Sequence, residues 1–188
     1  MADQGKFDGL LQHIERYAGQ FRDAEGPDAL GANRGFGLGV YEHPEYDMFT
    51  VVSNGVRFQQ ITSLLPEEFA CSLIAEEQGF ARGLVHMIAE ASVQGGEGLE
   101  YDRLIRFPEL IIPESRVQGV LACPHPYLSD EFDVFTDNAE RPVLQLITLI
   151  PLLSAEVDFI AAEGPTALQQ RWSDQGTNLL SVYRQPAV

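Results

Sequence analysis

Apolar residues near the start of the chain recur every three or four positions: Phe7, Leu10, Leu11, Ile14, Tyr17, Ala18 and Phe21. That period predicts an amphipathic helix over residues 5–22 with one face on a core. Gly26-Pro27 blocks any continuation, and the polar, glycine-bearing run from Asp23 to Gly35 predicts a loop. The pattern then becomes strand-like. Gly37 to Tyr41 opens a strand region, and Met48 to Ser53 is β-branched enough for a strand. Asn54-Gly55 is a strong hairpin signal, which makes Val56 to Gln59 the expected partner. Phe69 to Ile74 predicts a further strand.

Helical spacing returns with Phe80, Leu84, Val85, Ile88 and Ala91, and Gly95-Gly96 ends it. Leu110-Ile111-Ile112 and Val117 to Ala122 are short apolar runs closed by proline. Phe132-Asp133-Val134-Phe135 alternates apolar with acidic residues, as a half-buried strand does. Val143 to Leu153 is the most apolar stretch and predicts a buried central strand, with Pro151 at its exit. Ser154 then offers a helix cap and Glu156 a first-turn acid. Gly164-Pro165 separates that helix from a second short one over Ala167 to Trp172, and Leu179 to Arg184 closes the chain. Strands and helices mix without strict βαβ alternation. The expected fold is α+β, with a mixed, largely antiparallel sheet flanked by helices. No repeat, linker or low-complexity tract divides the 188 residues, so one domain over 1–188 is expected.

Charge narrows the partners. Acidic residues number 28 against 12 basic ones, a net charge of −16. Such a chain repels phosphate backbones and anionic lipid, so neither nucleic acid nor a membrane is an expected partner, and a basic protein is. Lys6 is the only lysine, a poor candidate for Schiff-base or phosphate-loop chemistry. No apolar run approaches the ~18 residues of a membrane span. Residues 1–6 precede no apolar core of a secretory leader, so a cytoplasmic protein is expected.

Candidate chemistry is sparse. Cys71 and Cys123 have apolar neighbours and no zinc-type spacing, which reads as two buried free thiols. His13 and His86 fall in predicted helices; His43-Pro44 and His125-Pro126 fall in loops and would need Asp47 or Asp130 beside them to hold a metal, and none is expected. Gly35-Phe36-Gly37-Leu38-Gly39 lacks the third glycine of a dinucleotide loop and enters a strand, so it predicts tight turning or close backbone approach. Glu67-Glu68 and Glu76-Glu77 point opposite ways in extended chain and read as solvated charge. No nucleophile elbow is present, and no catalytic residue or cofactor is nominated. Asp130, Glu131, Phe132, Asp133, Phe135 and Asp137 form the candidate partner-binding segment, where acids steer a basic partner and aromatics anchor it. The same alternation also fits a half-buried strand with a charged outer face.

The C-terminal half carries a resemblance. Leu144 to Val157 reads as an apolar strand, a short turn and a helix with an early glutamate, followed by Glu163-Gly164 and Ala167 to Trp172. Upstream, Ser53-Asn54-Gly55-Val56 and the Pro113 to Pro124 segment fit the same series. Together, over about residues 40–184, these resemble the Suppressor of fused domain family. The resemblance implies an α+β domain with a mixed sheet flanked by helices, and a binding role without catalysis. The animal member captures a peptide strand of a transcription factor. Many short bacterial members are assigned as immunity proteins that neutralise a cognate polymorphic toxin, and this chain is similar to the short, single-domain type. The resemblance assigns no residue here a binding role. Two other readings stay open: a peptide-binding adaptor that adds a partner strand to a sheet edge, and an enzyme using His43, His125 and scattered carboxylates.

Overall fold

The apolar run near the end of the chain forms the longest strand, β8 (Pro142–Leu153), in the computed structural model, which describes residues 5–188. The reading of the first residues as lacking a leader rests in part on residues 1–4 and so lies partly outside the described chain. Side chains alternate across β8. Leu144 and Leu146 meet helix α1 (Leu10–Ala18), and Ile150 and Leu152 meet helices α3 (Ser154–Glu163) and α4 (Pro165–Gln175). Ile147, Leu149 and Leu153 point the other way, into a core closed by helix α2 (Gln78–Gly95). With cover on both faces the strand needs no polar side, which is why its sequence is nearly continuous in apolar residues.

The remaining strands are β1 (Gln20–Glu25), β2 (Gly37–Glu42), β3 (Phe49–Asn54), β4 (Glu67–Leu73), β5 (Leu104–Arg106), β6 (Val117–Cys123) and β7 (Val134–Thr136). They make an eight-stranded sheet in the order β1-β2-β3-β4-β8-β6-β5, with β7 also paired to β8. Strands β1 to β4 are an antiparallel meander; β4 and β8 run parallel, Glu67 to Ala70 against Gln145 to Thr148. Strands β5, β6 and β7 are antiparallel to their partners. The architecture is the α+β class read from the sequence, a mixed but largely antiparallel sheet flanked by helices.

Several local expectations are corrected. The first helix spans Leu10–Ala18 rather than 5–22. Gly19, at φ +105°, turns the chain so sharply that a Cβ there would lie 2.1 Å from the Glu42 carbonyl oxygen. Phe21 and Asp23 therefore belong to β1, paired with β2, and not to a helix end and a loop. Asn54-Gly55 makes no hairpin. Strand β3 already has β2 and β4 on its two sides, and residues 56–58 close a single 3-10 turn instead. The apolar run Leu110 to Ile112 contributes an isolated bridge from Ile112 to Val117, and the short β5 lies upstream of it. The strand expected over 132–135 is β7, shifted to Val134–Thr136. Ser154 is not the cap of α3; the Glu156 carboxylate accepts the Leu153 N–H from inside the first turn. Gly37 does serve close approach, since a Cβ there would sit 2.6 Å from the Glu25 carbonyl oxygen.

Candidate functional site

Three buried carboxylates knot the molecule together, and two of them come from the glutamate pairs read as solvated. Both faces of β4 are covered, so Glu67 and Glu68 point opposite ways yet are both buried. Glu68 accepts the Ser53 hydroxyl at 2.5 Å, the Gly55 N–H at 2.8 Å and the Arg57 guanidinium at 2.5 Å. These donors oppose the upward push of burial on its pKa, and they pull residues 55–57 into the turn that replaces the hairpin. Glu77 accepts the Ser181 hydroxyl at 2.6 Å and the Val182 N–H at 2.7 Å, tying down the C-terminal segment, whereas Glu76 is exposed. Glu156 accepts the Trp172 indole N–H at 3.0 Å and pairs with Arg184 at 2.7 Å. All three act within the fold.

A Ser–His pair sits deeper in the sheet. Ser72 Oγ is 2.7 Å from Thr50 Oγ1 on the neighbouring strand and 2.8 Å from His125 Nε2. His125 Nδ1 accepts the N–H groups of Tyr127 and Leu128, both at 3.2 Å. The ring proton is thereby assigned to Nε2, which donates to Ser72. A histidine that donates to a serine does not activate it as a nucleophile. Burial, with the charge of His43 adding to it, pushes His125 down to about 3, so the ring is neutral. Asp133 accepts the His125 backbone N–H at 2.9 Å rather than the ring, and burial pushes that carboxyl up to about 6. The cluster pins the loop after β6 to β4.

The other loop histidine is engaged locally. His43 Nδ1 accepts the Glu45 N–H at 3.2 Å, and its ring stacks on Tyr46. Asp47 accepts the Ala75 N–H, and Asp130 is exposed. Among the described residues, no three His, Cys, Asp or Glu side chains gather so as to hold a metal ion. Cys71 and Cys123 are free, buried thiols on opposite faces of the sheet, the first in the core under α2 and the second under α3 and α4. Burial pushes Cys123 up to about 12 and Cys71 higher still, so neither is a thiolate.

The predicted partner-binding segment is split by the fold. Phe132 is fully buried, edge-on to Tyr17 of α1 and to His125, and Phe135 lies edge-on to His13. Helix α1 covers these rings, with a bond from His13 Nε2 to the Phe132 carbonyl at 3.1 Å. They are core residues and offer a partner no anchor. Asp133 is buried as well. What reaches the surface is acidic: Asp130 and Glu131 are exposed, and Asp137 is paired with Arg141 at 2.6 Å, which holds its carboxyl down to about 2.

Glu67 opens onto a groove of about 840 Å3, which its pairing with Glu68 in the sequence did not disclose. The groove runs between the C-terminal half of α2, the 62–64 loop and the segment 97–107 that contains β5. Gly98 lies flat on the Glu67 carboxylate; a Cβ there would be 2.5 Å from Oε2. The next residue, Leu99, donates its N–H to Oε2 at 2.9 Å. Burial, with Glu100 adding to it, pushes the Glu67 carboxyl up to about 7. Glu97 and Glu100 line the groove against one cation, Arg103, and Met87 and Leu64 stand exposed at its rim. The only sequence signal was the apolar run Phe69-Ala70-Cys71 directly after the two acids, which marks the strand as interior.

Comparison with known proteins places this fold. The sequence profile described as Suppressor of fused protein (SUFU) matches residues 36–185. Among solved structures, a putative SUFU homolog from Neisseria gonorrhoeae FA 1090 superposes with a TM-score of 0.70 at 17% identity, covering 95% of this chain and 94% of that one. A chain of the Sufu-Fu complex superposes at 0.67 with 12% identity, covering 90% of this chain and 85% of that one. At those identities the likeness is one of fold. Comparison with curated protein sequences gives no match. No helix among the described residues is long and apolar enough to cross a membrane.

Proposed function

The chain belongs to the Suppressor of fused family, and from that premise we propose that it is a non-catalytic, cytoplasmic protein-binding domain of the immunity type, which captures and blocks a basic toxin domain. The observation that carries this reading is the pairing of family membership with a net charge of −16. A fold-mate is known in complex with another protein, Fu. Exposed acids such as Asp130 and Glu131 suit long-range steering of a basic partner, and the −16 charge sets the sign of the whole field. A complex of this kind buries ~1,200–2,000 Å2.

A partner strand added at the β1 edge is disfavoured. The outer edge of β1 is broken by a register shift between Phe21 and Asp23, and its Arg22 and Asp23 are tied to Glu42 and Arg82. Bulges and charges of this sort discourage strand pairing. The test is a tagged pull-down from the native host, washed at low and at high salt. One dominant basic partner, whose toxicity this protein relieves on co-expression, is the expected outcome. Several partners that share one short segment would favour the peptide adaptor, and a partner released by neither salt nor acid substitution would sink the electrostatic reading.

A further inference from the structure

We propose that the groove over Glu67 is a socket for one long basic side chain, arginine or lysine, presented by the protein partner; this deepens the reading above and rests on it. The groove joins two features that call for different parts of such a side chain. At its floor is a carboxylate whose residue is only 2% exposed. Its one hydrogen bond comes from the Leu99 backbone, and none of the ion pairs among the described residues includes it. Of the other buried carboxylates, Glu68 has Arg57 and Glu156 has Arg184, while Glu77 and Asp133 are held by hydroxyl or backbone N–H donors. Glu67 combines the lack of an ion pair with a place on the groove wall, where neither Glu77 nor Asp133 lies.

Above the floor the walls are apolar. Ile88 and Ala91 of α2 face Leu99, Ile105 and Phe107 across the groove. An alkyl stem is buried by such walls while its charged head reaches the polar end. A bare metal ion is not suited to the site, because one carboxylate and one backbone amide leave it without ligands. Glu97 and Glu100 at the mouth repel anions and draw a cation in. The raised Glu67 pKa is what an acid without its counter-ion shows.

The test is an NMR titration of the full chain with n-butylguanidinium chloride, and with n-pentanol as a neutral stem of similar size. Saturable shifts of the Gly98 and Leu99 amides are expected with the cation, with the alcohol roughly tenfold weaker. Glu67→Gln, which keeps the acceptor for Leu99, is expected to erase that preference. Ala91→Trp, at an exposed position on the wall, is expected to block the probe while leaving the carboxylate in place. No shifts up to about 50 mM cation, or equal shifts in Glu67→Gln, overturn the proposal. The two readings fail separately. A probe that binds while the host yields no basic partner leaves the socket standing and removes the toxin; a basic partner that binds Glu67→Gln as tightly as the parent removes the socket and leaves the toxin.

Discussion

At the scale of single residues, Glu67 and its neighbour show how one position in a strand decides a chemistry. Glu68 is met by a guanidinium, a hydroxyl and backbone amides; Glu67 receives one amide and faces a cavity. The consequence is a stability that depends on pH. A carboxyl raised to about 7 in the folded chain binds a proton there that the unfolded chain, near 4.5, has already lost. Stability from this group is thus fully present below about 4.5 and is lost as pH rises from there through about 7. Glu67→Gln is expected to stabilise the protein at pH 8 by on the order of 2 kcal/mol and to change little at pH 4.5. Urea unfolding of the two proteins at both pH values checks this, and the difference between them cancels the opposite contribution of His125, which favours the folded state as pH rises. A gain that is the same at both pH values would mean that packing, not charge, sets the effect. A residue that costs stability when its cation is absent is of the kind retained for binding.

At the scale of elements, what was legible in the sequence followed from burial. β8 and α2 were readable because their apolar periods are long and both are packed in the core. β1 and β5 were not: one is an exposed, polar edge and the other only three residues long, so neither has a period to read. The turn at 55–58 was misread because its cause, a carboxylate on the next strand, is not local. The segment 130–137 was misjudged for a similar reason. Alternation of acid and aromatic implied one buried and one charged side, but Asp133 is buried along with the rings, and the cover is α1, from the opposite end of the chain. Phe132→Ala is therefore expected to cost about 3–5 kcal/mol with no partner present. Asp130→Asn with Glu131→Gln should leave stability within about 0.5 kcal/mol and slow association with a basic partner. Thermal unfolding of both variants separates them; a mild effect of Phe132→Ala would mean that α1 does not hold that ring.

For the molecule as a whole, the same charge has two effects of opposite sign, and salt should reveal both. A net charge of −16 on 188 residues repels itself in the folded state, where the acids are held closer than in the open chain. Few of those acids have cations to answer them, since basic residues number 12 and several are committed to internal pairs such as Arg57–Glu68 and Arg184–Glu156. Raising ionic strength from about 0.01 to 0.15 M shortens the screening length from ~30 to ~8 Å. Repulsion across the surface is then damped, while pairs at contact in the interior are little affected. The melting temperature of the free protein is accordingly expected to rise over that range. The association rate with a basic partner is expected to fall over the same range by tenfold or more. Differential scanning fluorimetry and stopped-flow association in one buffer series measure the two together. Rates that fall while the melting temperature stays flat would place the interacting acids in a local patch around the groove; a rise in stability without loss of rate would leave the charge with no part in binding. Movement of both in opposite directions would identify the excess acid as a load on folding that is carried for the encounter.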